Sequence, residues 1–315
     1  LRSRAPLRTL KGVTAPSERA ADRAVEQRTE RSVEFERLVA APRPVPAAGV
    51  RPRSPLVGGA PVWAFANQKG GCGKTTTSVH LAGALAQSGQ RVLLVDMDPQ
   101  AHATLALGQS ATPGRTIGDV LMGERTLDEV LLPVDARVHL APAAGDLARF
   151  ENAARHRAAP ERTLRNALGA LRREFDWVLV DCPPRADGIL TANAVVASTT
   201  VLLVVETGAF SLQGALKARG LFQDMAEALE VPLDLRVVAT LFDRHSEFAR
   251  EVLVAMQARF QDHLFDTAVR ECRALREAAG YGAFVQNLAP ESEASADFRA
   301  LADEAMAYVR RATKS

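Results

Sequence analysis

The sequence predicts an α/β fold, a mostly parallel twisted sheet with helices on both faces, and three observations predict it. From Pro61 onward, short apolar runs alternate with longer amphipathic stretches, the pattern of strands joined by crossover helices. Runs such as Val201 to Val205 are apolar throughout, as a strand covered on both faces requires. The first apolar run passes through a glycine-rich turn directly into a helical pattern.

Residues 1–60 hold 12 basic and 6 acidic side chains, are rich in Arg, Pro and Ala, and end in the breaker-laden APRPVPAAGVRPRSPLVGGAP. They read as a disordered extension. Within them Ser17 to Ala40 has helical spacing, with Ser17 as N-cap and Glu and Arg three or four residues apart. Its apolar positions are mostly Ala, which suits a solvated helix or one that binds a partner. Residues 61–315 read as one folded domain. Strands are predicted at Val62 to Ala66, Arg91 to Val95, Val138 to Ala141, Trp177 to Val180, Val201 to Val205 and Leu235 to Thr240. Helices are predicted at Lys74 to Gln87, Glu161 to Glu174, Leu212 to Leu229, Glu247 to Phe260 and Asp297 to Arg311.

The formal charge of +2 hides an asymmetry, because residues 61–315 carry 27 basic against 31 acidic side chains. Affinity for nucleic acid must therefore come from local patches or from the extension. Cys72, Cys182 and Cys272 are widely spaced with no CxxC pair, which argues against disulfide, zinc and iron-sulfur frameworks and suits a reducing cytoplasm. The most apolar stretch, Ala194 to Phe210, is broken by Ser198, Thr199, Thr200 and Glu206, so no membrane span of about 20 apolar residues is expected. The Arg-rich start lacks the apolar core of a secretory signal.

The chemistry is concentrated after the first strand, in Asn67-Gln68-Lys69-Gly70-Gly71-Cys72-Gly73-Lys74-Thr75-Thr76. Phosphate binding needs backbone N–H groups converging at a helix start, glycines that let the backbone come close, a lysine for β and γ charge, and a hydroxyl for Mg²⁺. Gly70, Gly71, Gly73, Lys74 and Thr75 supply these parts, with Cys72 and Thr76 completing the loop. The general GxxxxGK[ST] spacing would put glycine at position 68, where this chain has Gln68, so the loop is a variant. Two further segments place carboxylates at strand ends, Asp96 and Asp98 in VLLVDMDPQAHAT and Asp181 in FDWVLVDCPPRADGILTANAV. In an open α/β sheet that edge is the usual ligand crevice.

Together these segments resemble the deviant Walker A ATPases of the ParA/MinD family, over about Val62 to Val309. The DPQ that opens with Asp98, the NQ before Lys69 and the later LREA-x-x-x-G make the chain more similar to ParA, of the chromosomal Soj-like kind, than to MinD. The resemblance implies ATP and Mg²⁺ as ligands and a weak intrinsic, Mg-dependent ATP hydrolase. It implies Lys69 as the signature lysine that reaches the nucleotide of the opposite subunit in a homodimer, Lys74 as the second charge stabiliser, and Asp98 as the residue that positions the attacking water. Thr75 and Asp181 would hold the metal, and Asp96 would support the metal shell and the loop. VETGAFSLQGAL is similar to the family's entry into a helix, and LFDTAVRECRALREAAGYG to its segment near the adenine and dimer face.

The family often carries Asp-x-Arg-[Ser/Thr] with the arginine on DNA, whereas this chain reads Asp243-Arg244-His245-Ser246, the arginine one position early. Arg244, Arg270, Arg273 and Arg276 are candidates for a phosphate-contacting DNA patch, or for a solvated charged face. Cys72 stands where Val or Ala is more usual and reads as a loop filler or as a thiol activated at a helix start.

The function the resemblance implies is an ATP-dependent dimer that binds DNA non-specifically and positions a DNA or protein cargo, cytoplasmic and nucleoid-associated, with a ParB-like or adaptor protein stimulating hydrolysis. The alternatives are a MinD-like membrane-surface ATPase, for which the Ala-rich, acidic end DFRALADEAMAYVRRATKS lacks bulky anchors, and a small-molecule ligase of the dethiobiotin-synthetase type.

Overall fold

The computed structural model describes residues 59–171 and 174–312. Residues 1–58 of the expected 1–60 extension, with the Ser17 to Ala40 helix, lie outside the described residues. β1 (Val62–Ala66) is buried along its whole length and runs through the glycine-rich turn into α1 (Lys74–Gln87). The turn is sharp because Gly71 (φ 75°) and Gly73 (φ 92°) take left-handed backbone, which costs glycine little. β2 (Val92–Asp96) follows, then α2 (His102–Ala106), α3 (Ile117–Met122), α4 (Leu127–Val130), β3 (Leu132–Pro133), β4 (Val138–Ala141) and α5 (Leu147–Ala154). A 3-10 turn at Pro160–Arg162 leads into α6 (Thr163–Gly169). β5 (Trp177–Asp181), α7 (Ile189–Ala197), β6 (Thr200–Glu206), α8 (Ser211–Ala228), β7 (Leu235–Phe242) and α9 (Glu247–Phe260) continue the alternation. A second 3-10 turn, Gln261–His263, precedes β8 (Leu264–Arg270), and α10 (Arg273–Gly280), α11 (Val285–Leu288) and α12 (Glu293–Ala312) complete the described chain.

The strands form one sheet in the order β3-β4-β2-β5-β1-β6-β7-β8, parallel everywhere except the short β3 to β4 pairing. β5 inserts beside β1 on one side and β6 on the other, so chain connections diverge at the carboxyl end of β1. That divergence opens the crevice in which α/β proteins bind ligands. α1 is buried on nearly every side because it lies between the sheet and α12, α2 and α11. Trp63 anchors the core, edge-on to Trp177 at 5.2 Å and stacked on Phe265 at 5.7 Å between ring centroids.

The structure differs from the sequence reading at particular elements. β8 is an added strand whose Asp266, Thr267 and Arg270 break any apolar run, which an edge position allows. Its exposed backbone is capped by α12, where the Glu304 carboxylate accepts from the N–H groups of Asp266 (2.7 Å) and Thr267 (3.1 Å). The helix expected from Glu161 to Glu174 is shorter, ending at Gly169. The last helix starts at Glu293 rather than Asp297. No described helix is long and apolar enough to cross a membrane.

Candidate nucleotide site

The carboxyl ends of β1, β2 and β5 bring the glycine-rich loop, Asp96, Asp98 and Asp181 together, with the ends of β6 and β7 beside the loop, whereas the four arginines lie apart. The loop after β1 is tied at both sides. The Asn67 side-chain amide donates to Val204 O on β6 (2.7 Å), and the Thr240 hydroxyl on β7 donates to Cys72 O (2.7 Å). Between these ties Gly70 and Gly71 border open space, with no atom within 4 Å of where a Cβ would stand. The Lys74 ammonium turns back to donate to Lys69 O at 2.9 Å. The same carbonyl is 3.2 Å from Cys72 Sγ. A phosphate in the loop would offer Lys74 a stronger, charged acceptor.

The Thr75 hydroxyl donates to Asp181 Oδ2 at 2.7 Å, while Asp181 Oδ1 is buried with no hydrogen-bond partner. Burial, with Asp96 and Asp98 nearby, pushes the Asp181 carboxyl up to about 8. An orphaned buried carboxylate oxygen beside a threonine hydroxyl fits a hard cation such as Mg²⁺, which would supply the missing partner and reverse that shift. Thr75 and Asp181 are the residues that would hold it.

Asp98 is buried on the loop after β2, its Oδ1 accepting from Gln100 N (2.9 Å) and its Oδ2 lying 3.5 Å from His102 Nδ1. Asp96, paired in register with Asp181, was expected to support the metal shell and the loop, and its hydrogen bonds go to the loop. Its Oδ1 accepts from Asp98 N (3.1 Å), and its Oδ2 accepts from both the N–H (2.9 Å) and the hydroxyl (2.7 Å) of Thr104. The carboxylate is spent fastening α2 and the Asp98 loop. Burial raises it to about 6.

Cys72 is fully buried and burial raises its thiol, the opposite of the activated thiol a redox role needs. That burial suits the loop-filler reading. The four arginines do not form an open basic patch, because each faces a carboxylate. Arg244 meets Glu293 at 2.5 Å, Arg273 meets Glu277 at 2.6 Å, and Arg276 meets Glu271 at 3.0 Å. Arg270, its side chain only 23% exposed, grips Asp297 through Nε and Nη2 and reaches Glu293 as well. It clamps the end of β8 to α12.

Sequence reasoning missed Glu206 as a site residue, although it is the first charge after the apolar run of β6. Its carboxylate pairs with the Lys69 ammonium. Thr104 and Thr240 were also missed, since a lone threonine carries no signal apart from the partners the fold brings to it.

A P-loop nucleotide site on a parallel sheet, with an extra lysine ahead of the glycines, defines the class. Comparison with known proteins agrees. A family model described as "AAA domain" matches residues 60–234. The chromosome partitioning protein ParA of Caulobacter vibrioides is 35% identical over 226 residues, covering 70% of this chain and 84% of that protein. The chromosome-partitioning ATPase Soj of Thermus thermophilus is 38% identical over 251 residues, covering 79% and 96%. Among solved structures, cobyrinic acid a,c-diamide synthase from Mycobacterium smegmatis with bound ATP analog and magnesium is 30% identical, covers 78% of this chain and 93% of that one, and superposes with a TM-score of 0.67. The chain belongs to the ParA family of P-loop ATPases.

Proposed function

We propose that this protein is a Mg²⁺-dependent ATP hydrolase that forms an ATP-dependent homodimer, binds DNA non-specifically and positions a DNA or protein cargo, with a ParB-like or adaptor protein stimulating hydrolysis. The observation that carries the reading is the pair of lysines at one loop, Lys74 folded into it and Lys69 standing at its mouth, 52% exposed. One lysine serves the subunit's own phosphates. In this reading the other reaches the nucleotide of a second subunit.

In this mechanism Lys74 would exchange the Lys69 carbonyl for a phosphate oxygen, and Thr75 and Asp181 would hold the metal. Bound Mg²⁺ supplies charge neutralisation of the phosphates. Asp98 orients the attacking water through the oxygen not used by Gln100. Arg244 (53% exposed), Arg273 (84% exposed) and Arg276 (70% exposed) remain the DNA-contacting candidates, because surface ion pairs are worth about 0–1 kcal/mol and exchange readily for phosphate contacts. Arg270 does not. The protein would act in the cytoplasm on the nucleoid.

The test is binding to non-specific duplex DNA with ATP, ADP or no nucleotide, across a salt series. ATP-dependent binding that weakens with salt, is lost in Lys69→Ala and is kept in Asp98→Ala supports the reading. Absence of DNA binding in every nucleotide state rejects it. A second reading, a small-molecule ligase, takes its support from the diamide synthase relative. It would show as ATP consumption that depends on a small carboxylic acid and an amine source and is indifferent to DNA.

A further inference from the structure

We propose that Glu206 is the positioning residue of Lys69, holding the ammonium within its own subunit until the nucleotide of a second copy competes for it; this rests on the dimer reading above. β6 overshoots β1. Their last paired residues are Ala66 and Leu203, and β6 runs on to Glu206, which pairs with Thr240 of β7. The Asn67 amide grips this overhang at Val204 O, which ties the loop to the end of β6. Glu206 thus rises beside the loop at the level of Lys69.

The main chain of Lys69 is held at both ends. Its N–H donates to Asn67 Oδ1 (3.2 Å), and its carbonyl accepts from Lys74 Nζ (2.9 Å). Only the side chain is left to move, and Glu206 is its carboxylate partner. The two partners are unequal, since Glu206 is 19% exposed and Lys69 52%. Gly208 belongs to the arrangement, because a Cβ there would lie 2.9 Å from Glu206 Oε1 and crowd the carboxylate. The carboxylate is therefore the fixed member and the long lysine the mobile one.

A carboxylate at the mouth of a phosphate site is electrostatically unfavourable for the ligand, so phosphate binding alone gives no reason for it. Holding Lys69 does. A triphosphate carries more negative charge than one carboxylate, so a second subunit's nucleotide takes the ammonium once it is close, and the pair sets the threshold for assembly.

Two readouts test this on the full-length protein. The first is pulsed acylation of Lys69 without nucleotide, read by peptide mass spectrometry with exposed Lys217 as internal reference. The second is the monomer–dimer constant by sedimentation equilibrium with Mg²⁺ and a slowly hydrolysed ATP analogue, beside ATP affinity measured on dilute monomer. In Glu206→Gln, Lys69 should label several-fold faster. The dimer should form at roughly tenfold lower protein concentration, two part-exposed ion pairs being released per dimer. Monomer ATP affinity should tighten modestly, since a like charge is removed from the mouth of the site, and by clearly less than the dimer constant shifts. Glu206→Asp, which keeps the charge, should restore part of both effects, a rescue that a merely structural role would not show. Labelling at the wild-type rate, or a dimer no tighter than wild type, overturns the proposal. If wild type and variant both stay monomeric with nucleotide while their labelling differs, it is the dimer reading that falls, and the assembly threshold with it; the labelling still reports the contact within one subunit.

Discussion

Thr75 and Asp181 lie 106 residues apart in sequence and 2.7 Å apart in space, hydroxyl to Oδ2, where the start of α1 meets the end of β5. The bond uses one carboxylate oxygen and leaves the other buried and unpartnered. Thr75→Val keeps the β-branched shape and removes the hydroxyl. The Mg²⁺-dependent part of ATP affinity and the hydrolysis rate should each fall roughly tenfold or more, metal charge stabilisation being worth several kcal/mol. Nucleotide affinity in EDTA should stay within about twofold, since the phosphate contacts are untouched. ATP titrations with and without Mg²⁺ decide it, and an equal loss in both conditions would remove Thr75 from the metal site.

Arg270 and Arg273 should separate by phenotype. Arg270→Ala strips the clamp between β8 and α12 and leaves Asp297, which is nearly buried, without its guanidinium. A stability loss of about 2 kcal/mol is expected, the scale of a lost charge-assisted hydrogen bond in a largely buried setting. Arg273→Ala should change stability by less than about 0.5 kcal/mol. If Arg273 contacts DNA phosphate, the same variant lowers the salt slope of binding by about one. Urea melts and salt titrations of both variants give the answer, and a stable Arg270→Ala would show the clamp to be idle.

His80 gives a prediction on pH. Its ring is buried in α1, accepts from Val285 N at Nδ1 (3.2 Å) and packs on Phe298, and burial lowers it from 6.5 to about 4. The folded protein therefore keeps His80 neutral where the unfolded chain takes up a proton. Above about pH 6.5 there is no penalty, and as pH falls toward 4 stability drops by on the order of 3 kcal/mol from this group. His80→Asn retains an acceptor near Nδ1 and cannot titrate. Its urea midpoint should fall less than wild type between pH 7.5 and pH 4.5, and parallel slopes would count against the account.

These three cases show which features were legible in the sequence. β1, β4, α1 and α9 have the boundaries the pattern predicts, because each is a local run between breakers. The loop from Asn67 to Thr76 was legible because its chemistry is contiguous. α7 escaped notice because it is buried almost all round, and an apolar helix has no helical period to read. The partners of Asp96 were not legible, because a carboxylate at a strand end looks the same whether or not Thr104 is folded against it. The hold of Glu206 on Lys69 and the pairing of Arg270 with Asp297 join residues far apart in sequence, so no local pattern announces them.

Gly83 sits in the middle of α1, where two effects of known size oppose each other. Replacing glycine by alanine inside a helix normally stabilises by about 1 kcal/mol. Here α11 presses on that turn, and a Cβ at position 83 would stand 2.8 Å from two ring atoms of Phe284 and 2.9 Å from Gln286 Oε1. Neither neighbour can retreat easily. Phe284 and Gln286 are both buried, and the Gln286 amide is tied to His80 O at 2.8 Å. Overpacking of this kind costs about 1–3 kcal/mol, so it should outweigh the helix gain and leave Gly83→Ala destabilised by up to about 2 kcal/mol. The strain also pushes α11 off α1, so Gly83→Ala combined with Phe284→Leu should recover part of the loss, whereas independent sites would add their costs. Denaturation midpoints of the two single variants and the double variant test both statements, and a Gly83→Ala protein more stable than wild type would mean that α11 packs less tightly on α1 than these distances require.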